Sequence, residues 1–277
     1  MEAKKHFKAE EKWENLTLAN NFIFYKVMRS HPEACKHLLE ILLNIQIESL
    51  NMTSEETIYV DYEAKSIRLD VFVKDSDRVY DIEVQVVNTR ELPERARYYQ
   101  GVMDIDMLKS GETYKKLKDS YVIFLCFEDI FRKGLPVYNF ENMCNQDKNI
   151  KLGDRAFKLF FIAPLCAKMI KSEKVKRFFE FLISNNTGDE YTSKLSAYVE
   201  DARHNMQWRF QYMTVERMQA YAFEDGMEKG FTDGANKKAE EDAVNLLKLQ
   251  IATPEQITQV TGLPLEKVQE LAKQIKK

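Results

Sequence analysis

The spacing of apolar residues predicts two helices near the start of the chain. Residues 17–29 are rich in aromatic and aliphatic side chains, and residues 38–43 place leucines on one stripe. Between these segments, Ser30 and Glu33 have the spacing of a capping box, in which two side chains bond the exposed amides of a helix start. The second helix is therefore expected to begin directly after Ser30.

From Thr57 onward the apolar period changes to two, which is typical of strands. Strands are predicted at residues 58–60, 67–73 and 79–87. The last two are separated by Lys-Asp-Ser-Asp-Arg, a composition that favours a turn. This part of the chain is therefore predicted to contain a three-strand meander that includes a tight hairpin.

A helix and two more strands are predicted next. The helix begins at Pro93, is closed by Gly111, and carries one apolar stripe formed by Leu92, Ala96, Tyr99, Met103 and Met107. Strands follow at residues 121–127 and 157–162. The order helix, three strands, helix, strand predicts a mixed α/β fold rather than a regular βαβ array.

Beyond about residue 163 the pattern is mainly helical. Gly226, Gly230 and Gly234, with charged residues between them, predict a weakened or broken helix or a linker. The run Thr-Pro-Glu-Gln at residues 253–256 predicts a capped helix, and Pro264 starts the last one. We therefore expect a core at residues 15–165, a helical extension at residues 166–223, and a linker with a small helix-turn-helix-like tail at residues 224–277.

The composition indicates an ordered protein whose net charge does not attract nucleic acid. The 277-residue chain is 44% hydrophobic and has a formal net charge of -3, so DNA contacts would require a local basic patch or metal ions. The first residues lack the apolar run of a signal peptide, and the longest apolar run is too short to span a bilayer. The four cysteines form no Cys-x-x-Cys pair. These features predict a cytoplasmic protein with no membrane partner.

Two carboxylates lie at equal distances from the centre of the predicted hairpin. Asp70 and Glu83 are equidistant from the bond between residues 76 and 77. A turn centred at that bond makes them direct cross-strand neighbours. Alternation along the second strand then places Asp81 and Gln85 on the same face.

Opposed carboxylates repel each other, so their juxtaposition needs a compensating cation. One explanation is a solvated sheet face on which Arg68 and Lys74 supply the counter-charges. The other is a hard divalent cation such as Mg²⁺, held by the two carboxylates and by water. The spacing alone leaves both explanations open.

The same residues resemble the PD-(D/E)xK nuclease signature, and in particular the Rpn group of recombination-promoting nucleases and putative transposases. The hairpin carries Arg-Leu-Asp-Val at residues 68–71 and Tyr-Asp-Ile-Glu-Val-Gln at residues 80–85. Further blocks of resemblance, in the same order as in the family, lie at residues 15–18, 21–28, 91–93, 97–100, 115–118, 207–209 and 212–213. The resemblance therefore extends over most of the chain.

The resemblance implies an Mg²⁺-dependent DNA endonuclease, with Mn²⁺ or Ca²⁺ as alternative ions. Asp70 and Glu83 would ligate the metal, and a metal-activated water would attack the scissile phosphate. Gln85 occupies the position at which the signature has lysine. It would orient the water or the phosphate without supplying positive charge.

By the same resemblance, the helix after the hairpin packs near the metal site. Arg97, Gln100 and Asp104 lie at helical spacing beside its apolar stripe. Arg97 would clamp a phosphate, Gln100 would support the site, and Lys26 would reach the site from the first helix. An ordinary solvated helix face would explain the same spacing.

Two alternatives from other classes of protein stay open. A catalytically weak nuclease fold that acts as a DNA-binding or regulatory interaction protein would fit the acidic net charge and Gln85. An assembly module that forms homo-oligomers through the C-terminal helices would fit the glycine-spaced segment and the tail. The last helix starts with Pro-Leu-Glu-Lys at residues 264–267, which is not markedly basic and favours a partner or oligomer contact over base reading.

Overall fold

A computed structural model describes residues 12–52 and 71–275 of the chain. The chain divides into two compact units, Met1–Phe210 and Gln211–Lys277. The three-part division at residues 165 and 223 stays a prediction.

Within the described ranges, six strands of the first unit form one mixed sheet. They are β1 (Asn51–Met52), β2 (Val71–Lys74), β3 (Arg78–Gln85), β4 (Asp119–Cys126), β5 (Val137–Phe140) and β6 (Ala156–Ile162). Their order across the sheet is β1-β2-β3-β4-β6-β5. The pairs β3–β4 and β4–β6 are parallel, and the other pairs are antiparallel. The mixed α/β fold predicted from the sequence is therefore confirmed.

Helices precede, interrupt and follow these strands along the described part of the chain. They are α1 (Asn21–Ser30), α2 (Pro32–Leu43), α3 (Leu92–Met107), α4 (Ala163–Met169), α5 (Glu173–Ser184), α6 (Glu190–His204), α7 (Met206–Leu249), α8 (Pro254–Thr261) and α9 (Leu265–Ile275). Among the residues that the structure describes, no helix combines the length and the apolar character needed to cross a membrane.

The β2–β3 hairpin has the register that the sequence predicts. Val71 pairs with Ile82 and Lys74 pairs with Val79, so the turn is centred between residues 76 and 77. The amide of Asp75 closes the turn by donating to the carbonyl of residue 78 at 2.8 Å. Asp70 and the strand predicted at residues 58–60 lie outside the described residues.

Helix α3 covers one face of the sheet with the apolar stripe that the sequence predicts. Its residues Leu92, Ala96, Tyr99 and Met103 join a buried cluster with side chains of β3, β4 and β6. The ring of Phe124 on β4 lies within this cluster and stacks with the rings of Tyr99 and Phe160, at centroid distances of 6.3 and 5.3 Å. The helix ends at Met107 rather than continuing to the predicted stop at Gly111. Instead, Gly111 adopts a φ of +85° in the turn that follows.

The capping box predicted at Ser30 is wrong. Ser30 is the last residue of α1, and the N-cap of α2 is His31, which makes no side-chain cap bond. Pro32 occupies the first helical position, where the missing amide hydrogen removes no helical bond. The proline therefore fixes the start of α2 one residue later than the sequence predicts.

The segment with three regularly spaced glycines is a continuous helix, so the broken helix among the alternatives is wrong. All three lie inside the 44-residue helix α7, and a Cβ atom added at any of them would meet nothing within 4 Å. Each glycine weakens a helix by about 1 kcal/mol relative to alanine. Propagation along a long helix offsets this cost, because every further residue adds a backbone bond.

The last two helices pack around a small core in the second unit. Thr253 and Gln256 form the predicted capping box, and Gly262 ends α8 with a φ of +76°. This core consists of Ala243 on α7 together with Ile257, Leu263, Val268 and Leu271. The predicted helical hairpin at the end of the chain is therefore confirmed.

Candidate active site

The acidic face of strand β3 is buried rather than solvated. Glu83 is 1% exposed and Asp81 is 0% exposed. They alternate with apolar residues of the other face, and Val79 on their own face belongs to the cluster that α3 covers. The solvated sheet face considered for these carboxylates is therefore excluded at Asp81 and Glu83.

An arginine of helix α3 joins the two site residues of strand β3. The Nη2 atom of Arg95 donates to Oε2 of Glu83 at 2.5 Å, and its Nη1 atom donates to Oε1 of Gln85 at 3.0 Å. The Nε2 atom of Gln85 donates to the same oxygen of Glu83 at 3.2 Å. The structure thus brings Glu83, Gln85 and Arg95 into one hydrogen-bonded group.

The guanidinium of Arg95 is held by its own helix and by the sheet. Its Nε and Nη2 atoms donate to the hydroxyl of Tyr99, one turn further along α3, at 3.2 and 2.9 Å. The guanidinium carbon lies 5.4 Å from the ring centroid of Tyr99 and 5.7 Å from that of Phe124. Phe124 is the register partner of Glu83 on β4. The arginine is therefore preorganised over the site by hydrogen bonds and by cation–π contacts.

Two further groups at the site are held in their neutral forms. Burial and the carboxylate of Glu83 hold the pKa of Tyr99 well above its usual value, against the opposing effect of Arg95. Burial raises the pKa of the Cys126 thiol to about 12, again against Arg95. Cys126 is the register partner of Gln85. At neutral pH this thiol is protonated, so it is not a nucleophile for the site.

The other residues predicted on helix α3 lie away from Glu83. Arg97 is exposed, and its position two residues from Arg95 corresponds to a rotation of about 200° around the helix. Gln100 is buried and donates from Nε2 to the hydroxyl of Ser120. Ser120 precedes the register partner of Glu83 by four residues, which is about 13 Å along a strand. The structure therefore does not bring Arg97 or Gln100 together with Glu83.

The lysine predicted to reach the site from the first helix contacts aromatic rings. Lys26 on α1 is 8% exposed. Its Nζ atom lies 5.4 Å from the ring centroids of Phe22 and Tyr25 and 5.7 Å from that of Trp208. These cation–π contacts give the buried ammonium group a structural explanation.

Arg95 was not predicted as a site residue, although the sequence pattern contains a sign of it. Arg95 lies three residues after Leu92 and four before Tyr99, which is the spacing of the buried stripe. A charged residue at that spacing is expected either to interrupt the stripe or to meet an opposite charge beneath it. The structure shows the second outcome.

The described donor set suits a hard divalent cation. The buried carboxylates of Glu83 and of Asp81, two residues earlier on the same strand face, are the kind of oxygen ligands that Mg²⁺ prefers. No cluster of three or more histidine, cysteine or acidic residues able to hold a metal occurs within residues 12–52 and 71–275. The second predicted ligand, Asp70, lies outside those ranges.

The site opens at the carboxyl end of β3. Exposure increases from Glu83, which is buried, to Gln85, which is half-buried, and the side chain of Arg95 is 28% exposed. The next residues, Val86 and Val87, are 49% and 68% exposed. In sheets with parallel strands, ligands bind at the carboxyl ends of the strands, and β3 and β4 are such a pair. A ligand can therefore approach Gln85 and Arg95 from solvent.

The comparison with protein families matches residues 31–241 to the PD-(D/E)XK nuclease family transposases. This range covers well over half of the chain and includes Glu83, Gln85 and Arg95, but not Lys26. The chain belongs to the PD-(D/E)XK nuclease family transposases. It is thus a nuclease of a family related to transposition, in agreement with the resemblance seen in the sequence. No curated protein and no solved structure matches the chain.

Proposed function

We propose that the protein is a divalent-metal-dependent DNA endonuclease, with Mg²⁺ as the ion and Asp70 and Glu83 as its ligands. The observation that supports this most directly is the burial of Glu83 together with its contacts to Gln85 and Arg95 at an open strand end. A nuclease of this family needs a phosphodiester substrate, and DNA is the substrate that a link to transposition favours. The cytoplasmic location expected from the sequence stays a prediction.

The role of Asp70 in this proposal is carried over from the sequence prediction. Asp70 directly precedes Val71, whose partner is Ile82. The sequence prediction makes Asp70 the cross-strand neighbour of Glu83, and on that basis we propose that the two carboxylates hold the ion together. Two carboxylates at one position repel each other unless a cation lies between or beside them.

In the proposed reaction a water oxygen forms a bond to phosphorus, and the bond from phosphorus to one ester oxygen breaks. The leaving oxygen takes up a proton, and the products are a phosphate monoester and a hydroxyl end. A bound divalent ion would lower the pKa of the attacking water and neutralise charge on the phosphate. Gln85 would orient the water or a phosphate oxygen through its amide, which Glu83 and Arg95 hold in one orientation.

Incubation with supercoiled plasmid tests the proposal. We expect the wild-type protein to nick or linearise the plasmid with Mg²⁺, and we expect EDTA to stop the reaction. The variant Asp70→Ala/Glu83→Ala should be inactive because it lacks both proposed ligands. Equal cleavage by the wild-type and double variant would assign the activity to a contaminant or to another site.

A catalytically weak nuclease fold that acts through binding alone is the alternative function. The specific observation that favours it is the neutral amide of Gln85 at the lysine position of the signature. A loss of cleavage in Asp70→Ala alone, without a loss of DNA binding, would exclude this alternative. Absence of cleavage by the wild-type protein with Mg²⁺, Mn²⁺ and Ca²⁺ would favour it.

We also propose that helix α7 carries a contact between two copies of this chain. Phe223, Met227 and Phe231 follow one another at intervals of four residues, and they are 69%, 61% and 81% exposed. Side chains at this spacing lie on one face of a helix. Such a stripe is self-complementary, because the same stripe on a second copy can cover it around a two-fold axis.

Glutamate substitutions test this contact. We expect Met227→Glu/Phe231→Glu to lower the mass of the full-length protein in light scattering from that of a dimer to that of a monomer, because buried charges would oppose association. Met218→Glu is the matched control, since Met218 is exposed and lies about 180° around the helix from Met227. A wild-type protein that is monomeric at all concentrations would contradict the proposal.

A further inference from the structure

The signature position that normally carries a positive charge is neutral in this protein, but a positive charge is nevertheless present at the site. Gln85 is an uncharged amide at that position. The guanidinium of Arg95 donates to its Oε1 atom at 3.0 Å and to Oε2 of Glu83 at 2.5 Å. The cation therefore comes from helix α3, ten residues later in the chain, rather than from strand β3.

We propose that Arg95 supplies the positive charge that Gln85 lacks, and that this charge stabilises the phosphate as negative charge builds up on its oxygens. The inference rests on the proposed nuclease function and deepens it. Arginine keeps its charge at every working pH and suits phosphate recognition. Its effect here is electrostatic and acts through space, so it requires no further hydrogen-bond donor on the guanidinium.

The surroundings of Arg95 fit this role better than that of a structural ion pair alone. The side chain is 28% exposed, whereas Glu83 is 1% exposed, so the arginine lies between the buried carboxylate and the solvent from which a phosphate would approach. Tyr99 and Phe124 fix the guanidinium from the helix and from the sheet. A charge fixed before the reaction is worth more than a mobile one, because no reorganisation is needed in the transition state.

Gln85 then acts as a hydrogen-bonded bridge between Arg95 and Glu83. Its Oε1 atom accepts from Arg95 and its Nε2 atom donates to Glu83, which uses both ends of the amide. A lysine at this position could not accept from Arg95, since an ammonium group has only donors. A lysine at position 85 on the strand and Arg95 on the helix are therefore two alternative ways to place one positive charge at the site.

Exchanging the position of the charge tests the proposal. Arg95→Met removes the charge at similar length, and we expect plasmid cleavage to slow by about a hundredfold, as for the loss of one preorganised electrostatic group. Gln85→Lys/Arg95→Met returns the positive charge to the strand. We expect this double variant to cleave plasmid at least about ten times faster than Arg95→Met. Arg95→Lys keeps a charge on the helix and should cleave faster than Arg95→Met. The matched control is Arg177→Met, because Arg177 forms exposed ion pairs with glutamates of helix α5.

Ion binding provides a readout that does not depend on catalysis. Removing a positive charge 2.5 Å from Glu83 favours a bound cation, so Arg95→Met should bind Mn²⁺ at least as tightly as the wild-type protein in calorimetric titration. A purely structural arginine predicts the opposite, since loss of its support would displace Glu83 and weaken Mn²⁺ binding. If Arg95→Met does not fold, Arg95→Lys decides, because a folded but inactive lysine variant would overturn the role of the charge.

The outcomes separate this inference from the proposed function. Absence of ion-dependent cleavage by the wild-type protein overturns both. An active wild-type protein with Arg95→Met within about threefold of its rate overturns the inference alone. Failure of Gln85→Lys to rescue a folded Arg95→Met variant overturns it as well.

Discussion

Replacement of Glu83 by glutamine is expected to reduce ion-dependent cleavage by at least about a thousandfold, because the change removes a proposed metal ligand while keeping the size of the side chain. The same substitution removes the carboxylate that Arg95 contacts at 2.5 Å. Breaking a buried pair by removing one partner costs about 3–5 kcal/mol. The cost here is expected to be smaller, about 1–3 kcal/mol, because the side chain of Arg95 is partly exposed and can regain water. Plasmid cleavage and urea unfolding measure the two effects separately.

The matched control is Glu180→Gln, which removes one charge from the exposed pair between Glu180 and Arg177 on helix α5. We expect no change in cleavage and a change in stability of no more than about 0.5 kcal/mol. A Glu83→Gln variant that is folded and cleaves within about tenfold of the wild-type rate would remove Glu83 from the proposed metal site. A stability loss without an activity loss would make it a structural residue.

Replacement of Phe124 by alanine is expected to destabilise the protein by about 3–5 kcal/mol, the range for a phenylalanine removed from a packed core. Phe124 is fully buried, stacks with Tyr99 and Phe160, and lies under the guanidinium of Arg95. The cavity would therefore loosen both the contact between α3 and the sheet and the support of the arginine. Urea unfolding gives the stability loss, and cleavage at a temperature where the variant is folded gives the effect on the site.

Phe140→Ala provides a control at the edge of the same aromatic cluster. The ring of Phe140 lies 5.8 Å from that of Phe160, but the residue is 42% exposed. We expect about half the destabilisation seen at Phe124, since the lost free energy follows the apolar area removed from water. Equal losses at the two positions would contradict the placement of Phe124 at the centre of this core.

The local geometry of the candidate site was predictable from the sequence because two simple periods determine it. Alternation in a strand places Glu83 and Gln85 on one face, and the composition of the turn sets the hairpin register. The stripe of α3 follows in the same way from the helical period. These are short-range properties, so the chain specifies them within a few residues.

The parts that escaped prediction depend on contacts between distant segments. The burial of Asp81 and Glu83 requires α3 to lie over the sheet, and no local period reveals which face a helix will cover. Arg95 was missed for the same reason, because its partners on β3 lie ten and twelve residues earlier. Strand β5 was missed because it has only four residues. Among the described strands it is an edge strand of the sheet and pairs with β6 alone.

The β2–β3 turn is centred between residues 76 and 77. The geometry of the site therefore depends on whether the number of residues in this turn, between Lys74 and Val79, stays even or becomes odd. An insertion of one residue into this turn would exchange the two faces of one strand relative to the other, and would direct Glu83 and Gln85 away from Arg95. The five residues from Lys74 to Arg78 should therefore keep their number even where their identities change.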